Sequence, residues 1–305
     1  MLFPLLVSEA HSLSVNGQPQ QLNEQEASQL ADELKQQLRN GNLPPSDADA
    51  IEKMVAGLGD PRGLMRLTFA ESLGVVGKAA VPSLCRALSS HDSVTVRRAA
   101  AKTLTLIEDP RALPVLLEAL RGDPDPVVQG SAVGAMAAVG AEAIPLLLDV
   151  LIQPESTAMQ LGLASWALAF VGARAPEALR DAAASEHAEI RCAAIAALGD
   201  QIQSLADDVA KDLVVGALSD VDADVRAEAA TLLGKLHDPD WAAPQLEPLL
   251  HDAVGQVRKN AALSLMKLRA SGSIPALQTR FEGETQSDVQ AVLSLAINQL
   301  SHQDA

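Results

Sequence analysis

The side chains of this sequence that could carry out catalysis are few and scattered. Its six histidines lie far apart, and no two of them share a helix face at the spacing of metal ligands. The two cysteines, Cys85 and Cys192, are too few for a disulfide framework in a chain of 305 residues. There is no glycine-rich phosphate loop and no Gly-x-Ser-x-Gly motif. We therefore predict no catalytic residue and no metal site.

Another set of residues is better suited to binding. Arg98 and Lys102 lie one helical turn apart and could pair with carboxylates, and Gly130 and Gly134 leave room for a partner helix. Trp166 could stack on a flat ligand or anchor a protein. We predict a groove for a partner protein or ligand, lined by Arg98, Lys102, Gly130, Gly134, Ser165, Trp166 and Cys192.

Several of these residues also have a structural explanation. Trp166 could be a core residue, and the two glycines could relieve crowding between packed helices. Cys192 has Arg191 beside it but no histidine close in sequence, which favours an inert thiol over a reactive one. Trp241 is interpreted as a structural plug and Cys85 as a core residue.

The positions of these residues follow from a repeat that covers most of the chain. An Arg or Gln that follows an apolar residue recurs with spacings of 31, 32, 31, 31, 35, 32 and 32 residues, and another apolar residue stands seven positions after each. Such a period indicates a solenoid of helical hairpins. We expect the residues one and five positions after each anchor to face away from the core. The eight anchors are Arg66, Arg97, Gln129, Gln160, Arg191, Arg226, Arg258 and Gln290.

Each repeat is expected to form two helices joined by a turn. A proline opens most first helices, where its missing N–H has no partner to lose. An interruption is expected at Pro248, which follows Pro244 by four residues. The prolines assigned to helix starts are Pro82, Pro114, Pro145, Pro176, Pro244 and Pro275.

Acidic residues recur in the turn between the two helices of a repeat. An aspartate stands six positions before the anchor in four copies, at Asp60, Asp123, Asp220 and Asp252. We expect each of them to cap the second helix, and each anchor arginine to reach the acidic residue of the neighbouring turn. These pairs would form a ladder along the stack.

The fold class that follows is all-α. We predict a right-handed superhelical solenoid of about eight helical hairpins behind an N-terminal capping helix. The capping helix should begin at Asn23, with Glu26 completing a capping box. An irregular lead-in and the capping helix occupy residues 1–45, the repeats occupy residues 46–300, and a frayed tail follows in residues 301–305.

The charge distribution limits the kind of partner. The net charge is −16, and residues 181–250 contain fourteen acidic and four basic side chains. An acidic body repels phosphate backbones, so we expect no nucleic-acid partner, whereas the acidic stretch should select a basic surface. The N-terminus lacks the basic residues of a secretory signal, and no apolar run reaches the roughly 20 residues of a membrane span. We expect a soluble, cytoplasmic protein.

The repeats resemble HEAT repeats, specifically the short HEAT-like units of the phycobilisome (bilin) lyase family of cyanobacteria. The similar stretches are DSVTVRRAAAKTL, DADVRAEAATLLGKL, HAEIRCAAIAALGD and AVGQVRKNAALSLMKL, and the resemblance covers residues 46–300. GLASWALAFVG also looks like the tryptophan-containing second helices of bilin lyase subunits. Deoxyhypusine hydroxylase is built from similar repeats, but its di-iron site needs His-Glu pairs, and no His-Glu dipeptide occurs here.

The resemblance implies two functions, and the residues alone do not decide whether the chain is an enzyme. In the first, the chain is a scaffold without an intrinsic cofactor, and its groove binds a phycobiliprotein or another cofactor-carrying photosynthetic protein. In the second, it is a phycobilin lyase or lyase subunit that attaches or removes phycobilin on phycobiliprotein cysteines, with Arg98 or Lys102 at the bilin propionates. Relatives that work in pairs imply a hetero-oligomer. A weaker alternative is an assembly partner for iron-sulfur carriers.

Overall fold

The computed structural model describes residues 22–172, 175–199, 202–203 and 207–302. These residues form seventeen α-helices, and no strand occurs among them. The helices pair into eight hairpins behind one N-terminal helix, so the predicted all-α hairpin repeat is confirmed. The chain divides into two compact units, Met1–Val139 and Gly140–Ala305. The predicted lead-in before Leu22 and the end of the predicted tail lie outside the described residues.

The first unit consists of the N-terminal helix α1 and three hairpins. The N–H of Glu26 donates to Asn23 Oδ1 and the N–H of Asn23 donates to Glu26 Oε2, both at 2.9 Å, which confirms the capping box. The elements are α1 (Glu24–Arg39), then α2 (Ala48–Gly57) with α3 (Gly63–Val76), α4 (Val81–Ser90) with α5 (Val94–Ile107), and α6 (Leu113–Gly122) with α7 (Pro126–Val139).

Helix α1 packs against α3, just as α3 packs against α5 and α5 packs against α7. It therefore takes the place of the second helix of a preceding repeat. Arg62, just before α3, donates from Nη1 to Ser28 Oγ at 2.8 Å and also contacts the Glu24 carboxylate. Its Nε and Nη2 bind the buried carboxylate of Asp60 at 2.9 and 2.7 Å. Arg62 thus links α1 to the first hairpin, as expected for a capping helix.

The second unit contains five hairpins. They pair α8 (Ile144–Ile152) with α9 (Ala158–Gly172), α10 (Pro176–Ala183) with α11 (Ala188–Ala197), α12 (Asp208–Ala217) with α13 (Ala223–Leu233), α14 (Pro239–Leu246) with α15 (Gly255–Lys267), and α16 (Ile274–Gly283) with α17 (Ser287–Ser301). Within this unit α9 packs on α11, α11 on α13, α13 on α15 and α15 on α17. The residue seven positions after the anchor is fully buried in every copy except the last, where Ile297 is half-buried.

Five of the six prolines open a first helix as predicted, and the prediction for Pro244 is wrong. Helix α14 opens at Pro239, with Asp238 as its N-cap, so Pro244 lies in the helix interior. Beyond the first turn a missing N–H removes an intrahelical hydrogen bond, and the α-helix soon gives way to the 3-10 turn Glu247–His251. Pro248 lies in that turn, so the predicted interruption is confirmed.

Candidate binding surfaces

The arginine anchors form the ladder that positions the second helices. Nε and Nη2 of Arg97 donate to the two carboxylate oxygens of Asp123 in the next repeat, at 2.7 and 3.1 Å. Nη1 of Arg97 donates to the carbonyls of His91 and Asp92, both at 3.0 Å. In the second unit the same two-pronged contact joins Arg191 to Asp220, Arg226 to Asp252 and Arg258 to Glu284. The predicted ladder is confirmed at these four rungs.

The acid of each rung supports the turn rather than the helix end. Oδ1 of Asp220 accepts the N–H of Asp222 at 2.8 Å, and Oδ1 of Asp222 accepts the N–H of Asp224 at 2.9 Å. The N-cap of α13 is therefore Asp222, and the prediction that Asp220 caps this helix is wrong. Asp220 lies three residues before α13 begins at Ala223, too early to reach the first free N–H groups of the helix.

The glutamine anchors make only part of this contact. Nε2 of Gln129 donates to the carbonyl of Asp123 at 2.7 Å, and Nε2 of Gln290 donates to that of Glu284 at 2.6 Å. Gln160 differs: its Oε1 accepts the N–H of Thr157 at 2.8 Å, and Thr157 Oγ1 accepts the N–H of Gln160 at 3.3 Å. This capping box begins α9, the helix that carries Trp166.

In the first unit the predicted site residues lie on α5 and α7, which pack side by side. Arg98 is half-buried and Lys102 is exposed, and neither makes a salt bridge with any residue that the structure describes. Exposed aliphatic side chains lie at Leu106, also on α5, and at Leu67 on the neighbouring second helix α3. This unit therefore offers an unneutralised cationic pair in a partly apolar surface.

Gly134 of α7 has open space where a side chain would stand. A Cβ added to it would meet no atom within 4 Å, so crowding between helices does not explain this glycine. Gly130, one turn earlier, is half-buried. A glycine inside a helix is about 1 kcal/mol less favourable than alanine, and at Gly134 no packing within the described chain offsets that loss.

In the second unit Trp166 is on the surface rather than in the core. The residue six positions after the anchor is buried in all seven other copies, where it is serine, threonine, alanine or leucine. Trp166 is 53% exposed at this position. Gln160 is buried in α9 and Met159 is exposed, whereas the residue before the anchor is buried in six of the other copies. The anchor Gln160 lies three residues after the N-cap Thr157, whereas Arg97 and Arg226 lie four residues after their N-caps. Trp166 is exposed because of this shift of one residue, which gives it the helix position that Lys102 has in α5.

Phe170 adds to this surface and was missed by the sequence analysis. It lies one turn after Trp166, is 46% exposed, and stacks on the indole with ring centroids 5.8 Å apart. The spacing of four residues between two aromatics was the available signal, in a chain with only six aromatic residues. Ser165, also predicted for the groove, is half-buried beside Trp166 on α9. The expectation that positions one and five after the anchor face outward is wrong for α9, where positions two, six and ten are exposed.

Cys192 lies on α11 with a partly buried thiol. Burial, together with the carboxylates of Glu228, Asp222 and Asp224, raises the pKa of the thiol to about 12. The thiolate is the nucleophilic form, so this cysteine is inert at neutral pH. The prediction that Cys85 is a core residue is wrong, because Cys85 is only half-buried on α4. Leu117 and Leu148, at the corresponding positions of other repeats, are half-buried too.

Trp241 has the structural role assigned to it. Its backbone N–H donates to Oδ1 of the N-cap Asp238 at 3.3 Å, and the ring packs on the core of the second unit. The ammonium of Lys211 lies 5.3 Å from the ring centroid. No three His, Cys, Asp or Glu side chains in the described part of the chain come together as metal ligands. None of the described helices is long and apolar enough to cross a membrane.

Two comparisons with known sequences connect these repeats to characterised families. Residues 51–137 and 210–298 match the family described as HEAT repeats. The chain is 49% identical over 279 residues to the bilin biosynthesis protein MpeU of Synechococcus sp. strain WH8020, an alignment that covers 92% of this chain and 94% of that protein. It is 33% identical over 124 residues to an uncharacterized phycocyanin operon protein Z of Pseudanabaena tenuis strain PCC 7409, an alignment that covers 38% of this chain and 61% of that protein.

A solved structure similar to this chain is the complex of CpcE and CpcF of phycocyanin lyase from Nostoc sp. PCC7120. The identity is 21% and the TM-score is 0.34, with 82% of this chain and 94% of that chain covered.

Proposed function

Because this chain belongs to the HEAT-repeat proteins, and within them to the family of the Synechococcus bilin biosynthesis protein, we propose that it is a scaffold that binds a phycobiliprotein or another cofactor-carrying photosynthetic protein. The observation that carries the proposal is the 49% identity to that relative along 92% of the chain. We expect the chain to work in the cytoplasm as one member of a hetero-oligomer.

Each unit contributes its own contact surface in this proposal. In the first unit Arg98 and Lys102 have no carboxylate partner among the described residues, so they are available to pair with carboxylates of the bound protein. Gly130 and Gly134 allow a partner segment to approach the backbone of α7. In the second unit the half-exposed Trp166 supplies the large apolar contact typical of interface anchors.

A second candidate function is that of a phycobilin lyase or lyase subunit, and the name of the Synechococcus relative favours it. A bilin is a flat conjugated molecule with two propionates. Arg98 and Lys102 suit a propionate and Trp166 suits a conjugated ring, so a bilin would contact one unit or the other by these residues. Cys192 is not expected to be the attachment point, because its thiol stays protonated at neutral pH.

The two candidates are separated by mixing the purified chain with phycocyanobilin, with and without an apo-phycobiliprotein. A lyase produces an acceptor that carries covalent bilin, seen as zinc fluorescence in a denaturing gel, at a rate above that of the uncatalysed reaction. A scaffold leaves that rate unchanged and forms a complex with the holo-protein in size-exclusion chromatography. If neither bilin transfer nor a complex were observed, both functions would be ruled out.

Surface variants then test which residues make the contact. We expect Arg98→Glu combined with Lys102→Glu to weaken the complex at least about tenfold, since two favourable charges become repulsive. Lys267→Glu, at an exposed position of α15, is the control for a change of charge. An equal loss of affinity in this control would mean that overall charge, and not the predicted surface, determines binding.

A further inference from the structure

The exposed face of α9 has a gap in its middle. Met159, Trp166 and Phe170 are all about half exposed along this face, and Gly162 lies between Met159 and Trp166. A Cβ added to Gly162 would meet no atom within 4 Å, so its lack of a side chain is not required by packing among the described residues. The result is a notch over bare backbone, with a methionine on one side and a stacked aromatic pair on the other.

Met159 and Trp166 are seven residues apart, which corresponds to roughly 10 Å along the helix axis. A helix that crosses α9 at Gly162 would therefore pass between these two side chains. Glycine at the crossing point lets two helices approach closely, while larger side chains on both sides fix the register. None of the residues of α9 is charged, so the part of a partner that enters the notch must be apolar.

The charges next to α9 specify what flanks that apolar stripe. Helix α11 packs on α9, and α13 packs on α11. Asp224 of α13 lies two residues after the N-cap Asp222, the same position that Met159 has after Thr157 in α9, and Glu228 lies one turn after Asp224. Neither carboxylate makes a salt bridge with any described residue, and both lie close enough to Cys192 to affect its thiol. The face therefore passes from apolar at α9 to acidic at α13.

We propose that this face of the second unit is a docking site for a basic amphipathic helix of a partner protein, which crosses α9 at Gly162 and directs its cationic residues toward Asp224 and Glu228. The proposal rests on the scaffold function proposed above, and it specifies the chemistry of the partner segment. A second copy of this chain is the less suitable occupant, because two chains with a net charge of −16 repel one another.

The test uses the full chain and two synthetic peptides of equal length and helix propensity. Both carry an apolar stripe of alanine and leucine, and their charged faces are built from lysine in one and glutamate in the other. Titration is followed by tryptophan fluorescence in a Trp241→Phe background, so that Trp166 is the reporter. We expect saturable binding of the lysine peptide, weakening with salt, and at least about tenfold weaker binding of the glutamate peptide.

The decisive variant is Gly162→Gln, which fills the notch with a good helix former. We expect this variant to raise the midpoint temperature of unfolding and to lower the affinity for the lysine peptide at least about tenfold. The raised midpoint would show that the loss of binding is not caused by misfolding. Gly216→Gln is the matched control, since Gly216 is also inside a helix and open to solvent. Unchanged affinity in Gly162→Gln, or a preference for the glutamate peptide, would overturn the proposal.

Competition with a phycobiliprotein separates this inference from the proposed function. If the phycobiliprotein displaces the lysine peptide from the wild-type chain, both the docking site and the proposed scaffold function are supported. If the peptide binds at the notch and the phycobiliprotein neither binds nor competes, the docking site stands and the proposed partner is wrong. If the phycobiliprotein binds the wild type and Gly162→Gln equally well, the scaffold stands and the notch is not its docking site.

Discussion

Cys192 shows how neighbouring charges decide what a side chain can do. In the sequence it follows an arginine, which by itself would favour the thiolate, but in the fold it also lies near the carboxylates of Asp224 and Glu228 on α13 and of its N-cap Asp222. Burial and these carboxylates outweigh the guanidinium of Arg191, which is already bonded to Asp220. The sequence could therefore not settle the reactivity of this thiol, because its burial and the nearby carboxylates both depend on how the helices pack.

We expect Cys192 to react with iodoacetamide at pH 8 at least about tenfold more slowly than an unperturbed thiol of pKa near 8.5. The measurement is made by mass spectrometry in a Cys85→Ser background. The same variant unfolded in urea provides the reference rate. A native rate equal to the unfolded rate would show that the thiol is neither buried nor affected by the carboxylates.

Trp166 is the second residue whose environment the sequence left open. Truncation of a buried aromatic costs about 3–5 kcal/mol, whereas surface substitutions usually change stability by about 0.5 kcal/mol or less. We expect Trp166→Ala to lower the free energy of unfolding by about 1 kcal/mol, since the indole is half exposed and packs on Phe170. Phe69→Ala, at a fully buried ring, should lose several times as much in the same urea titration. Equal losses would place Trp166 in the core.

At the scale of the helices, the recurring residues could be predicted from the sequence, whereas the register of helix α9 could not. An arginine and an acid that recur at a fixed separation have to meet once the hairpins stack, and the four rungs form as expected. In α9 the anchor Gln160 completes a capping box with Thr157, so it lies three residues after the N-cap rather than four. The exposed face of α9 follows from this shift of one residue, which the spacing of the anchors does not reveal.

The most buried rung should be the most sensitive to mutation. Glu284 is fully buried, accepts hydrogen bonds from Arg258 and Arg280, and also accepts the N–H groups of Thr285 and Gln286. Removing the charge leaves Arg258 buried without a counterion, so we expect Glu284→Gln to lower the free energy of unfolding by about 3–5 kcal/mol. Lys53→Ala removes the solvent-exposed pair with Asp49 and should lower the free energy of unfolding far less. If the two variants lost similar amounts of stability, burial of the Arg258–Glu284 pair would not increase its contribution to the free energy of unfolding.

At the scale of the whole molecule, the ladder and the separate pair of Asp109 with Arg111 make stability depend on pH. Hydrogen bonds from Arg111 lower the pKa of Asp109 from 3.8 to about 2, and hydrogen bonds from Arg191 and Arg258 lower the pKa values of Asp220 and Glu284. A carboxylate with a depressed pKa stabilises the fold above its unfolded pKa, and this contribution disappears as pH falls toward the folded value. These acids should therefore contribute fully above pH 5 and progressively less below about pH 4.

Thermal unfolding followed by circular dichroism at pH 7, 5, 4 and 3 measures this dependence. We expect similar midpoints at pH 7 and 5 and a steep fall between pH 4 and 3, with a smaller fall in Glu284→Gln because one titrating acid is gone. A midpoint that rises on acidification would contradict the assignment of these acids as stabilising carboxylates.

Damage to one repeat should stay local, because a hairpin contacts only its neighbours in the stack. We expect Glu284→Gln to speed amide hydrogen exchange in α15, α16 and α17 and to leave the rates in α4, α5 and α6 of the first unit unchanged. Peptide-resolved exchange followed by mass spectrometry can distinguish these two regions. Faster exchange throughout the chain would mean that it unfolds as one cooperative block.

The ladder also bears on how the chain could grow or shrink during evolution. Two hairpins each carry both kinds of partner: α12–α13 has Asp220 and Arg226, and α14–α15 has Asp252 and Arg258. In each, the acid pairs with the arginine of the preceding repeat and the arginine pairs with the acid of the following one. Duplicating or deleting such a block of about thirty residues brings another matching acid and guanidinium together. A change in the number of repeats therefore needs no new interface to be invented, and selection can adjust the length of the protein before it adjusts the surface residues that choose the partner.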